Sequence, residues 1–163
     1  LQNNLNSLTL IIMSLGVNTV LNLYGLFKAK FKTKDIPLDN NLNLKDERRL
    51  FGNSTTLVGL AICIILGLII YIVSKNTFLA FGPIFVYIGH LTGSFIKRRV
   101  GKGDGEFLPI VDHGDSIIVL SVASLIFGGY TFAQILVSIL LVLIIQPLLT
   151  FIAFKLKLRK KPL

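Results

Sequence analysis

Apolar residues in this chain fall into long unbroken runs with no stripe of polar positions at helical spacing. Helices of that kind are hydrophobic on all sides, unlike those of a soluble bundle, which bury one face each. Five runs are long enough to cross a hydrocarbon core of roughly 30 Å as helices: Leu5–Phe27, Leu57–Val73, Phe78–Ile96, Ser116–Phe127 with a few flanking residues, and Phe132–Phe154. The fourth is the shortest, and a start within the membrane near Asp115 would leave a polar recess on that side. Short hairpins are expected at Ser74–Thr77 and at Gly128–Thr131, where paired glycines suit a tight turn. The expected fold class is therefore all-α, a polytopic membrane protein with about five transmembrane helices in a single integral domain spanning 1–163.

Composition agrees with that pattern: 53% of the 163 residues are hydrophobic and only 15% are charged, with a mean hydropathy of +0.75. The first segment lacks the basic leader and small-residue cleavage site of a signal peptide, so its helix is expected to be retained. Cys63, the only cysteine, lies inside an apolar run, which excludes an intrachain disulfide and a cysteine-rich metal site.

A formal net charge of +9 raises the question of nucleic acid, but the basic residues are gathered between and after the apolar runs. That arrangement sets topology, and no nucleic-acid partner is expected. Lys28, Lys30, Lys32, Lys34, Lys45, Arg48 and Arg49 follow the first span; Lys97, Arg98, Arg99 and Lys102 follow the third; Lys155, Lys157, Arg159, Lys160 and Lys161 follow the fifth. Only Lys75 falls on the other side. Basic loops stay in the cytoplasm, so the N-terminus is expected outside. The connections at about 28–56 and 97–115 and the basic tail at 155–163 are then cytoplasmic, the tail resting against anionic headgroups.

Candidate chemistry sits in those two connections. In the second, Lys97, Arg98 and Arg99 end a span, a glycine-rich link follows, and Asp112 and Asp115 stand before the next apolar run. Three residues apart on a helix, the two acids share a face and could approach one divalent cation; alternatively both are solvated at the interface and the cations are topology anchors. Cations that neutralise phosphate oxygens, beside carboxylates that hold magnesium, are what phosphoryl and nucleotidyl transfer need. The first connection carries Asp39, Arg48 and Arg49, then Gly52, Asn53, Ser54, Thr55 and Thr56 before the second span. This run either offers backbone N–H groups to an anion or caps the helix. It does not match a P-loop. His90 reads as a hydrogen-bonded packing histidine or a proton carrier, and Asn18, Asn22 and Gln146 as interhelical hydrogen-bond partners.

Taken together, Pro37-Leu-Asp39, Arg48-Arg-Leu-Phe-Gly52, Gly93-Ser-Phe-Ile-Lys-Arg-Arg99 and Leu108-Pro-Ile-Val-Asp-His-Gly-Asp115 resemble the CDP-archaeol synthase family. The pattern of Ser94, Lys97, Arg98 and Asp112-x-x-Asp115 is also similar to the signature of CDP-diacylglycerol synthases. The resemblance implies an enzyme that joins CTP to a lipid phosphate with release of pyrophosphate, using Mg2+ in a cytoplasmic recess. It implies that Asp112 and Asp115 hold the metal and act with Lys97 and Arg98 as catalytic residues. Asp39, Arg48, Arg49, Gly52, Asn53, Ser54, Thr55, Ser94, Arg99 and His113 would line the substrate site. Partners so implied are CTP, an ether-linked archaeal or diacyl lipid phosphate, and membrane lipids; oligomeric state is left open. The chain departs from the family pattern Phe-Gly-Asp-x-Lys-Thr, reading Phe51-Gly-Asn-Ser-Thr-Thr56. That exchange either alters nucleotide or lipid contacts or marks an inactive relative. A small transporter or a non-catalytic membrane subunit is the rival reading, although its polar path would place charge mid-span and not at one interface.

Overall fold

The computed structural model describes residues 6–104 and 106–156; the tail charges Lys157, Arg159, Lys160 and Lys161 and the expected first-span start at Leu5 lie outside the described residues. Five helices long and apolar enough to cross a membrane are present: α1 (Ser7–Phe31), α2 (Leu57–Ser74), α3 (Thr77–Arg99), α4 (Val111–Ala123, continued by a π-helical turn to Gly128) and α5 (Phe132–Lys155). The expected spans match these closely, with two differences. The first helix runs one turn further, through Lys28 and Lys30, because lysines suit the negative end of a helix and their stems snorkel. The fourth begins five residues before the expected Ser116, so Asp112 and Asp115 stand within its first two turns and not ahead of it. Asp112 is tolerated there because a carboxylate in the first turn complements the helix dipole.

Local sequence explains the ends. Asn6, Thr56, Asn76 and Thr131 each cap the helix that follows through a side-chain oxygen, and Thr131 with Gln134 forms a capping box. Both expected hairpins are present, Lys75 and Gly129 turning the chain in the left-handed conformation.

In the bundle, α3 packs along both α2 and α4, α5 covers α4, and α1 closes against α5, α3 and α4. Half of the α4 span is buried inside the protein, against 17% for α2 and α5, so α4 is the interior helix. Its inward face alternates Ile117 and Leu120 with Ser116, Ser121 and Ser124. Small hydroxyls let helices approach closely where lipid supplies no hydrophobic drive for association. The apolar faces of α2 and α5, with Ile72 and Ile144 well exposed, point outward as a lipid-facing surface must.

Closest approach occurs between α3 and α4. A Cβ on Gly89 would sit 2.6 Å from the Asp115 carbonyl oxygen and the Ser116 Cα, and one on Gly93 would sit 2.5 Å from Asp115 Oδ2. Backbone cannot yield as a flexible side chain does. Gly89→Ala should therefore destabilise the protein by about 1–3 kcal/mol, the usual cost of overpacking, seen as a lower melting temperature in detergent. Gly16→Ala, which meets nothing within 4 Å, should hold or raise it; equal losses would show that the α3–α4 contact does not limit the fold.

Candidate active site

The 32–56 connection is organised around Asp39. Its buried carboxylate accepts hydrogen bonds from Arg49 Nη2 (2.5 Å) and the backbone N–H groups of Phe51 (3.0 Å), Gly52 (3.0 Å) and Asn41 (3.1 Å). Burial alone would raise its pKa, but these donors prevail and hold it near 2. Gly52 turns with φ +104°, a conformation that favours glycine. Leu38 and Leu57 N–H groups donate to the Thr55 and Ile36 carbonyls, and the Tyr87 hydroxyl of α3 donates to the Thr56 carbonyl at 2.6 Å. The connection is thus tied to the bundle.

The arginines then fasten this connection to the C-terminus of α3. Arg48 Nη1 donates to the Arg98 and Arg99 carbonyls at the end of that helix. Arg99 lies over the Phe95 ring, pairs with Asp46 and donates to the Arg48 and Arg49 carbonyls. Arg98, 7% exposed, donates to the carbonyls of Phe51 (3.1 Å) and Lys102 and to Asp104 (2.7 Å). Between them lies a cleft of about 240 Å3 lined by Arg48, Arg49, Gly52, Arg98, Gly101, Lys102, Gly103 and Asp104. Such a concentration of cations suits a multiply charged anion.

The two carboxylates of α4 have their own partners. Asp112 accepts from Lys97 Nζ at 2.8 Å and from the Leu108 N–H at 2.7 Å. Asp115 lies 3.4 Å from His90 Nδ1 and accepts from the Ser116 N–H and hydroxyl. The Ser116 hydroxyl is also 3.1 Å from Asn18 Oδ1, Asn18 donates to Gln146, and Gln146 donates to the Asp112 carbonyl. A polar chain from α1, α4 and α5 therefore backs both acids inside an otherwise apolar bundle.

Most residues expected from the sequence converge on this end: Asp39, Arg48, Arg49, Gly52, Asn53, Lys97, Arg98, Arg99, Asp112 and Asp115. Four have a different setting. Ser54 is exposed, and Ser94 is half-buried on α3. Thr55 is 3% exposed, its backbone carbonyl pairs with Leu38, and its hydroxyl faces the Gly52 carbonyl. His113 is buried 5.3 Å from the Phe107 ring. Of Ser54, Thr55 and Thr56, expected as caps of α2, Thr56 does so, its hydroxyl oxygen accepting from the Gly59 N–H. The acids Asp46 and Asp104 were not singled out, because isolated carboxylates in loops carry no spacing signal. His90, expected to be a hydrogen-bonded packing residue, meets Asp115; Asn18 and Gln146 are the interhelical partners expected.

Among the described residues, no three His, Cys, Asp or Glu side chains cluster as a complete metal cage. A pair of carboxylates one helical turn apart instead fits a hard cation that keeps water and phosphate oxygens among its ligands, as magnesium does.

Comparison with known proteins gives a consistent picture. The family model for CarS-like CDP-archaeol synthases matches residues 27–163. A CDP-archaeol synthase from Methanoregula boonei is 30% identical over 149 residues, covering 77% of this chain and 88% of the relative. That of Pyrobaculum aerophilum is 25% identical over 95% of this chain and 98% of its own length. A solved intramembrane enzyme for archaeal membrane lipid biosynthesis superposes with a TM-score of 0.62 and 25% identity, over 83% of this chain and 89% of that one.

With a folded pKa near 2 against an ordinary 3.8, Asp39 contributes stability that is fully present above about pH 4 and is lost as pH falls through 2. Carbon-13 NMR of aspartate-labelled protein should show one carboxyl titrating well below the rest, absent from Asp39→Asn. A value near 3.8 for Asp39 would contradict the network described.

Proposed function

The chain belongs to the CarS-like CDP-archaeol synthase family, and from that membership we propose how its residues serve the reaction. It is a multi-pass membrane enzyme, a CTP-dependent lipid-phosphate cytidylyltransferase. The lipid acceptor in this reading is archaeol phosphate, in keeping with the relatives' names. What supports the site assignment most directly is that one end of α3 carries both Arg98, which lines the cation-rich cleft, and Lys97, which pairs with Asp112 of α4 at 2.8 Å.

In the reaction a lipid-phosphate oxygen forms a bond to the α-phosphorus of CTP while the bond to the bridging oxygen of pyrophosphate breaks, that oxygen keeping the electron pair. Both reactants are polyanions, and bringing them together is the main barrier. Arg48, Lys102 and the guanidinium groups beside them draw the triphosphate into the cleft, and Lys97, next in the chain to Arg98 and paired with Asp112, would neutralise an equatorial oxygen at the reacting phosphorus. Ser116 holds the Asp115 carboxylate, Gln146 holds the Asp112 backbone carbonyl, and Lys97 with the Leu108 N–H holds the Asp112 carboxylate, so little reorganisation is needed as charge shifts. Asp112 and Asp115 would hold magnesium, which when bound supplies Lewis-acid neutralisation of phosphate charge. No covalent enzyme intermediate is needed. Archaeol phosphate presents its headgroup at the membrane surface where α3 ends and α4 begins, with its chains in the surrounding lipid.

In this reading the basic segments lie on the cytoplasmic side, as the positive-inside rule expects, where CTP is available. Asn53 and Thr55, which depart from the family pattern, do not disrupt the site: Asn53 takes Arg49 at 2.6 Å and donates to Asp104 at 2.9 Å, and Thr55 is packed within its turn. Those contacts favour an active enzyme over a degenerate one.

Purified protein with magnesium, labelled CTP and archaeol phosphate should yield labelled lipid and pyrophosphate, and in sealed vesicles only CTP on the cytoplasmic side should serve. Asp112→Asn or Asp115→Asn should lower turnover by about a hundredfold or more, equivalent to roughly 2.7 kcal/mol, at native melting temperature. Near-normal incorporation by either folded variant would remove the carboxylates from the reaction.

A further inference from the structure

The cation-lined cleft already contains an anion. Asp104 lies across it at 39% side-chain exposure, 2.7 Å from Arg98 Nη2, with the Asn53 amide nitrogen 2.9 Å from Oδ2 and the Asn53 backbone N–H 3.3 Å from both carboxylate oxygens. A Cβ on Gly52 would lie only 2.3 Å from Asp104 Oδ1, so glycine at this position is what lets an oxyanion reach the turn. A bare backbone turn, its N–H, a side-chain amide and a guanidinium together make the donor set of a phosphate-oxygen seat.

That seat does not depend on Asp104 for its shape. Arg98 is held independently by the Phe51 and Lys102 carbonyls, and Asn53 is held by Arg49 through its amide oxygen. Removing the carboxylate would leave these donors aimed into an open cleft. An internal strut has the opposite character, because its loss frees the groups it holds.

We propose that Asp104 sets nucleotide affinity: its carboxylate occupies the seat that a phosphate oxygen of the nucleotide takes, and the nucleotide binds by displacing it. This rests on the reading that the cleft receives the triphosphate. A triphosphate carries more charge and more acceptor oxygens than one carboxylate, so it wins the exchange, but every binding event costs the Arg98 and Asn53 contacts to Asp104. Weakened affinity for polyphosphate lets pyrophosphate leave after turnover.

Calorimetric titration of the purified full chain with CTP and, separately, inorganic pyrophosphate tests this. Asp104→Asn, which keeps size and hydrogen-bonding capacity but not charge, should tighten both by about tenfold, the scale of one charge-assisted hydrogen bond. Asp104→Glu should bind no more tightly than the parent. Equal or weaker binding by Asp104→Asn at an unchanged melting temperature would overturn the proposal; should that variant fail to fold, Asp104→Ser gives the same comparison. Lys102→Gln separates the two levels of inference. Weaker binding by Lys102→Gln without tightening by Asp104→Asn rejects Asp104 alone, whereas no change in either variant rejects the cleft as the nucleotide site as well.

Discussion

Everything at this site depends on the contact between α3 and α4. A carboxylate that enters a membrane span is costly unless it is paired, and Asp115 is paired only because Gly89 and Gly93 let α4 come within backbone contact of α3. That approach brings His90 to Asp115 and Lys97 to Asp112. The same two helices carry both ends of the second basic connection, which holds Asp104, and the end of α3 carries the Arg98 that meets Phe51 and Asp104.

A second feature follows from low dielectric. The clustered cations are each engaged before any substrate arrives: Lys97 with Asp112, Arg49 with Asp39, Arg98 with Asp104 and Arg99 with Asp46. Like charges packed this closely would otherwise repel, and a buried guanidinium without a partner carries a penalty of several kcal/mol. The pairs differ in what they can give up. Asp39 is fully enclosed and bound by four donors, which makes it a structural anchor, whereas Asp104 and Asp112 are partly open to solvent. Substrate binding at such a site is an exchange of partners, not the filling of an empty basin.

How much of this was legible in the sequence divides along the same line. Five spans, two hairpins and the gathering of charge at one end follow from apolar runs and basic loops, because membrane burial writes itself into composition. Lys97, Arg98, Asp112 and Asp115 could be read from spacing and from a family resemblance. Asp104 could not, since its role comes from a contact with Asn53 some fifty positions away in the chain. Thr55 reads as an anion ligand beside a glycine turn, yet the backbone pairing of Leu38 with Thr55 turns it inward. The apolar run alone does not mark the early start of α4, because the lysine and histidine that meet Asp112 and Asp115 lie on another helix.

In the proposed mechanism the nucleotide binds between the two basic connections, against the end of α3. A photoreactive CTP analogue, crosslinked to the purified protein and mapped by mass spectrometry, tests it most directly. The account predicts labelled peptides within 39–53 and 97–115, suppressed by excess CTP. Label confined to the opposite end, around Lys75 or Gly129, or label that excess CTP leaves unchanged, would contradict it.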